Sequence, residues 1–140
     1  MISKKVRDLI QSAWDDGCVC LVASTGVNGP NVSPKGTVMV FDDEHLAYWE
    51  RSKKKALENL QTDDRVCVVY SNMAAQKDGR LDSGILRFYG RAALHESGPV
   101  REAIFARLSQ REQTHDGADV GIGVLIRIES AADVRGKPLP

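Results

Sequence analysis

The hydrophobic positions of this chain follow two periods, and the period of each segment predicts its secondary structure. Near the N-terminus, apolar residues recur at three- and four-residue spacing, as on one buried face of a helix. Ser3 can cap this helix and Gly17 ends it. The predicted buried stripe consists of Val6, Leu9, Ile10, Ala13 and Trp14.

Most of the remaining chain shows the pattern of strands, with alternating residues or short apolar runs. The clearest alternation puts Leu86 and Phe88 on one face and Arg87 and Tyr89 on the other. Most strands are joined by short reversals, and no βαβ repeat recurs. We therefore predict a mainly β (α+β) fold, a six-stranded antiparallel barrel with flanking helices. The predicted strands are residues 18–24, 31–41, 45–50, 65–71, 84–95 and 120–129.

Two further helices and a long loop complete the predicted elements. One short helix runs from Ser52 to about residue 61, and another begins at Ser97-Gly98-Pro99, where proline suits the first turn. The polar residues 72–83 are typical of a hairpin loop. In the last strand, Gly121 and Gly123 share one face and leave room for a ligand or a second chain. The expected organisation is one domain, 1–134, followed by a flexible tail, 135–140.

The composition narrows the classes of function. The 140 residues fit one domain, and 19 basic and 19 acidic residues balance, which argues against a general nucleic-acid or membrane binder. The chain lacks an apolar run of membrane-spanning length and a signal peptide, so a cytoplasmic location is expected. The three cysteines sit in apolar runs, which favours buried thiols over a redox or metal role. No metal site is predicted, because the three histidines are scattered.

Three consecutive lysines, Lys53 to Lys55, stand where the predicted short helix begins. A helix N-terminus carries partial positive charge and unpaired N–H groups, so cations are unfavourable there. A phosphate or similar anion would resolve this conflict by binding the cations, the Ser52 hydroxyl and the N–H groups together. The alternative is a solvated basic patch, and charge alone does not decide between the two.

Three segments in order resemble a known family. They are GPNVSPKGTVMVF, LAYWERSKKKALENL and DDRVCVVY. Their order and spacing resemble the pyridoxamine 5′-phosphate oxidase-like FMN-binding split barrels, especially the small, minimal members, over nearly the whole chain. The resemblance implies a split barrel, an FMN cofactor, and a homodimer with the flavin at the interface. It also implies a flavin-dependent oxidoreductase, with a substrate that stays unassigned.

The resemblance also implies which residues hold the flavin. The phosphate would lie against the strand-to-helix junction and the ring along the two preceding strands. Lys35 would reach either the phosphate or the polar edge of the ring, and Trp49 would either pack under the flavin or fill the barrel. From the second chain, Arg87, Tyr89 and the Gly121/Gly123 face would complete the site. The implied cofactor-binding residues are Ser33, Pro34, Lys35, Gly36, Trp49, Glu50, Arg51, Ser52, Lys54 and Lys55.

One departure from the family bears on activity. Pyridoxamine phosphate oxidases carry a C-terminal segment with arginine and histidine for the substrate phosphate, whereas this sequence ends in ADVRGKPLP. The resemblance therefore supports the fold and flavin better than that enzyme activity, and no catalytic residue is predicted. Two alternatives stay open: a barrel that binds a deazaflavin (F420) or heme instead of FMN, and a non-enzymatic flavin-binding electron carrier.

Overall fold

The computed structural model describes residues 1–52 and 54–140, so Lys53 of the predicted anion site lies outside the described residues. Within these residues the chain forms seven strands: β1 (Cys20–Ser24), β2 (Asn31–Lys35), β3 (Met39–Asp42), β4 (His45–Glu50), β5 (Arg65–Ser71), β6 (Ile85–His95) and β7 (Ile122–Asp133). The helices are α1 (Lys4–Gln11), α2 (Lys55–Thr62), α3 (Met73–Lys77), α4 (Pro99–Arg107) and α5 (Gln110–Gln113), with a 3₁₀ turn at Ala118–Val120.

The strands form one antiparallel sheet in the order β2-β1-β5-β6-β7-β4-β3. The sheet curls into a half-barrel with flanking helices, which confirms the predicted split-barrel fold. The described part of the chain has seven strands rather than six, because the predicted strand 31–41 is broken at residues 36–38. β2 and β3 lie at opposite edges of the sheet, so this break carries the chain across the split.

The barrel interior is filled by the inward-facing residues of the central strands. Tyr48, Tyr70 and Phe88 are fully buried there, together with aliphatic residues of β5, β6 and β7. Helix α1 covers one end of the barrel with its apolar stripe, and Ser3 caps it by accepting a hydrogen bond from the Val6 N–H, as predicted. The stripe ends sooner than expected: Trp14 is 51% exposed.

A second apolar cluster lies outside the barrel, where α4 packs on β4 and β7. Trp49 lies beneath α4, its ring 5.1 Å from that of Phe105, and its Nε1 donates to the Ala118 carbonyl at 2.7 Å. A Cβ on Gly121 would come within 2.2 Å of that nitrogen, and one on Gly123 would press on Ile104. The space beside these glycines is therefore filled by the chain's own Trp49 and α4, which corrects the expectation of room for a ligand or a second backbone.

Two smaller differences concern the connections between the strands. The predicted loop 72–83 contains α3, which the Asn72 side chain caps by accepting from the Ala75 N–H. Val120 belongs to the 3₁₀ turn and is exposed, so it is not part of the last strand.

At the C-terminus, the Pro140 carbonyl accepts a hydrogen bond from the Ser3 hydroxyl at 2.7 Å. The flexibility of the tail, residues 135–140, stays a prediction. Of the described helices, none has the length and apolar character needed to cross a membrane.

Candidate functional site

A groove of about 630 Å³ lies between the inward face of β2 and the start of α2. Alternation along β2 directs every second side chain, at positions 31, 33 and 35, to this side. The end of β4 and the junction that follows form the opposite wall. The groove is lined by Asn31, Ser33, Lys35, Glu50, Ser52, Lys54, Lys55, Ala56 and Glu58.

The N-terminus of α2 opens into this groove. Lys54 is the N-cap residue, and its side chain makes no capping hydrogen bond within the described part of the chain. The N–H groups of the first turn therefore lack the side-chain acceptor that serine or aspartate would supply. With Ser52, Lys54 and Lys55 beside them, these groups have the composition of an anion site.

Asn59 fixes the position of α2 against the β1–β2 turn. Its side chain is fully buried, accepts a hydrogen bond from the Asn28 N–H at 2.9 Å and donates one to the Gly29 carbonyl at 2.8 Å. Gly26 approaches the same helix so closely that a Cβ would lie 2.6 Å from the Asn59 carbonyl oxygen. Helix and turn are thus held together as one rigid wall of the groove.

A buried ion pair forms the inner end of the groove. Lys35 Nζ lies 2.8 Å from Glu50 Oε2, and the two side chains are only 12% and 2% exposed. Glu50 Oε1 also accepts a hydrogen bond from the Ser52 N–H at 3.1 Å, which ties the junction to the pair. Glu50 therefore orients both a cation and a backbone donor at the groove.

Tyr48 lies beneath this pair in the barrel interior, with Lys35 Nζ 5.6 Å from its ring centroid. Burial, and then the negative charge of Glu50, raise the pKa of the Tyr48 hydroxyl, so it stays protonated. That hydroxyl has no hydrogen-bond partner among the residues described. The site thus places one neutral phenol, one ammonium and one carboxylate close together.

The structure brings six of the ten predicted site residues to the groove: Ser33, Lys35, Glu50, Ser52, Lys54 and Lys55. The other four lie elsewhere. Pro34 is on the outward side of β2, Gly36 packs against the Trp14 ring, and Trp49 lies under α4. Arg51 points to Glu112, with Nη1 3.5 Å from Oε2. Binding of a cofactor by any of these residues stays a prediction.

The groove also contains three residues that were not predicted from the sequence, Asn31, Ala56 and Glu58. Asn31 shares the parity of Ser33 and Lys35, so alternation along the strand would have found it. Glu58 accepts a hydrogen bond from the Asn28 side chain at 3.3 Å, and this contact across the β1–β2 turn has no local signal.

The cysteines are separated by their burial. Cys20 is buried, which raises the pKa of its thiol to about 12, whereas Cys18 and Cys67 are partly exposed. In the described part of the chain, no three His, Cys, Asp or Glu side chains come together as a metal site requires.

These thiols are expected to differ in reactivity. At pH 8, a pKa near 12 leaves about one Cys20 in ten thousand as the reactive thiolate. Brief treatment of the native protein with iodoacetamide should therefore alkylate Cys18 before Cys20, as peptide mass spectrometry would show. Unfolding in urea should remove the difference. Labelling of Cys20 first in the native state would contradict its burial.

Comparison with known proteins identifies the family of this chain. The family model described as pyridoxamine 5′-phosphate oxidase matches residues 2–129. The chain belongs to the pyridoxamine 5′-phosphate oxidase family. None of the curated proteins matches the chain significantly.

Solved structures show the same fold at low sequence identity. HupZ of Group A Streptococcus is 22% identical over the whole of both chains, with a TM-score of 0.77. An FMN-binding protein from Syntrophomonas wolfei is 14% identical over 94% of this chain and 84% of its own, with a TM-score of 0.68. A protein named F420 reductase is 14% identical over 87% of this chain and 94% of its own, with a TM-score of 0.62. Likeness at these identities shows the fold alone.

Proposed function

We propose that this protein binds FMN as a homodimer and acts as a flavin-dependent oxidoreductase on a small molecule. The observation that carries the proposal is the groove in which the inward side chains of β2 meet the uncapped, lysine-bearing start of α2. Its polar lining suits a phosphate at one end and a polyhydroxyl chain beside it. Membership of the pyridoxamine 5′-phosphate oxidase family and the similar fold of a protein named as FMN-binding support the choice of FMN.

Each part of the groove has a role in this proposal. Ser52, Lys54 and Lys55, with the first N–H groups of α2, would hold the phosphate by charge-assisted hydrogen bonds. The Asn31 amide and Ser33 hydroxyl would hydrogen-bond the sugar-like chain. At the inner end, Glu50 would keep the Lys35 ammonium in place. The positive charge of Lys35 would favour electron density on a flavin ring bound nearby.

When bound, FMN would supply the electron-transfer chemistry itself. The chain's own part is to anchor the cofactor, to set the charge around it and to leave an access path. Tyr48 and Glu50 are buried, and no side chain here is assigned as a general acid or base. The role proposed for the chain's own residues is therefore cofactor binding and electrostatics, and no catalytic residue is assigned.

The outer face of the sheet supports the proposed homodimer. The strand register places Leu21 between Pro34 and Val69, and places Ala23 between Val32 and Cys67, with Tyr89 next in line. Leu21, Val32 and Tyr89 are exposed large apolar side chains in this contiguous patch. Contiguous apolar patches on a sheet face are typical of protein interfaces, and a second copy of the same face would cover both.

We expect Leu21→Asp to convert the dimer to a monomer at micromolar concentration, because a charge would be buried at the centre of the apolar patch. Light scattering coupled to gel filtration would measure the mass. Val120→Asp is the control, since Val120 is 62% exposed and lies outside the patch, on the 3₁₀ turn. An unchanged mass for Leu21→Asp, or equal effects of both variants, would exclude this face as the interface.

Identification of the natural ligand tests the choice of cofactor. Protein purified from its native host should release FMN on denaturation, detected by mass spectrometry. The similarity to a protein named F420 reductase makes a deazaflavin the second candidate, and heme would also be recognised in this experiment. Turnover of NADH or NADPH with an artificial acceptor would then favour an oxidoreductase over a passive electron carrier.

A further inference from the structure

A second cleft, of about 520 Å³, lies in the split of the barrel. It runs from the end of β2 at Lys35 to the start of β3 at Met39, and helices α1, α4 and α5 close its sides. Its walls include the apolar side chains of Ile10, Val38 and Leu108. Its volume, and a lining that combines apolar side chains with polar and charged ones, are compatible with a small-molecule site.

Two arginines border this cleft, and the guanidinium group of each lies over an aromatic ring. The guanidinium carbon of Arg107 is 4.2 Å from the centroid of the Phe41 ring, and that of Arg111 is 3.9 Å from the Trp14 ring. Arg107 also donates to the Phe41 carbonyl. Stacking fixes the orientation of a guanidinium, so less freedom is lost when its remaining N–H groups bind an acid.

The pairing of these arginines leaves positive charge unmatched. Arg107 has no carboxylate partner among the residues that the structure describes. Arg111 is paired with Glu112, but the same carboxylate also lies 3.5 Å from Arg51. Asp15 is the other acid in the lining, and it is exposed at the rim. Arg107 is therefore the guanidinium at the cleft that is available to pair with an anion.

The carboxylate of Glu112 contacts both Arg111 and Arg51. Glu112 is 5% exposed, in the short helix α5, where the Ser109 hydroxyl accepts a hydrogen bond from its N–H. Its carboxylate ties Arg111, at the cleft, to Arg51, in the junction after β4. Glu112 Oε2 has no hydrogen-bond partner among the described residues, so its contact with Arg51 at 3.5 Å is an ion pair without a hydrogen bond.

We propose that the cleft between β2 and β3 is a binding site for a small aromatic acid. The flat apolar body would lie against the walls formed by α1, Val38 and Leu108, and the acid group would bind the stacked guanidinium groups of Arg107 and Arg111. This site is separate from the proposed flavin groove, although Lys35 lines both. Because the inference stands on the cleft alone, failure of FMN binding would leave it intact.

Three probes distinguish binding of the acid group from binding of the aromatic body. Isothermal titration of the purified protein with 2-naphthoate should give a dissociation constant below about 1 mM, in line with the modest affinity of small ligands. The neutral amide, 2-naphthamide, and acetate, which lacks the aromatic body, should each bind at least about tenfold more weakly. Equal affinity for naphthoate and naphthamide would overturn the assignment of an acid site.

Arginine variants then locate the site. Arg107→Met and Arg111→Met should each weaken naphthoate binding about tenfold, because each loses a charge-assisted contact. Arg127→Met, an exposed arginine on β7, is the matched control and should leave the affinity unchanged. If Arg111→Met does not fold, Arg111→Lys replaces it and should also weaken binding, since lysine lacks the planar fork. Undiminished affinity in the folded Arg107 and Arg111 variants would show that naphthoate binds elsewhere and contradict the proposal.

Discussion

Replacing Lys55 with glutamate is expected to weaken FMN binding by at least about tenfold. Lys55 lines the groove at the first residue of α2, where a phosphate would meet the uncapped N–H groups. Loss of one charge-assisted contact typically costs about 1.5–3 kcal/mol, and reversing the charge adds repulsion. Titration of FMN followed by quenching of flavin fluorescence would measure the dissociation constant.

Lys4→Glu is the matched control for this variant. Lys4 also stands at the first residue of an eight-residue helix, is exposed, and among the described residues pairs only with Asp8 in the next turn. The change in charge is the same, but Lys4 lies on α1 and is not among the residues that line the groove. We expect this variant to bind FMN like the parent protein. Equal losses at the two positions would refute the junction as the phosphate site.

Replacing Lys35 with methionine is expected to lower the free energy of unfolding by about 3–5 kcal/mol, the usual effect of leaving a buried charge unpaired. Glu50 is 2% exposed, and without Lys35 its Oε2 would lose the ammonium that lies 2.8 Å away. Urea unfolding at neutral pH, followed by tryptophan fluorescence, would measure the change. The double replacement of Lys35 by methionine and Glu50 by leucine should recover part of the loss, because no buried charge remains.

The exposed pair of Arg65 and Asp63 provides the comparison. Its Nη2 and Oδ2 atoms are 2.6 Å apart, closer than those of Lys35 and Glu50, but the pair lies at the surface. Arg65→Met should therefore cost only a small fraction of the effect at Lys35. If the two single variants were equally destabilised, burial would not be what makes the Lys35–Glu50 pair important.

The strands and helix starts could be predicted where local pattern and environment agree. Alternation placed β6 correctly because one of its faces meets the barrel interior and the other meets solvent. The break between β2 and β3 was missed because residues 31–41 read as one continuous run. At the break, the Val38 N–H donates to the Lys35 carbonyl at 3.5 Å, and Gly36 lies against the Trp14 ring, where a Cβ would come within 3.0 Å of it.

The candidate site was predictable to the extent that its signals are local. Two of these signals are visible in the sequence: the lysines at a helix N-terminus, where cations are unfavourable, and the alternation of inward and outward residues along β2. The side chain of Trp49 was not assignable, because β4 is buried on both faces and shows no alternation. The family resemblance placed Arg51 in the groove, and its contact with Glu112, which lies about sixty residues away in the chain, gives no local signal.

A direct titration tests whether the groove between β2 and α2 binds FMN. Protein freed of any ligand should bind FMN with a dissociation constant in the micromolar range or below. It should remain yellow after gel filtration, with absorbance at the flavin bands and one FMN per chain. An absence of binding at tens of micromolar FMN would contradict the claim.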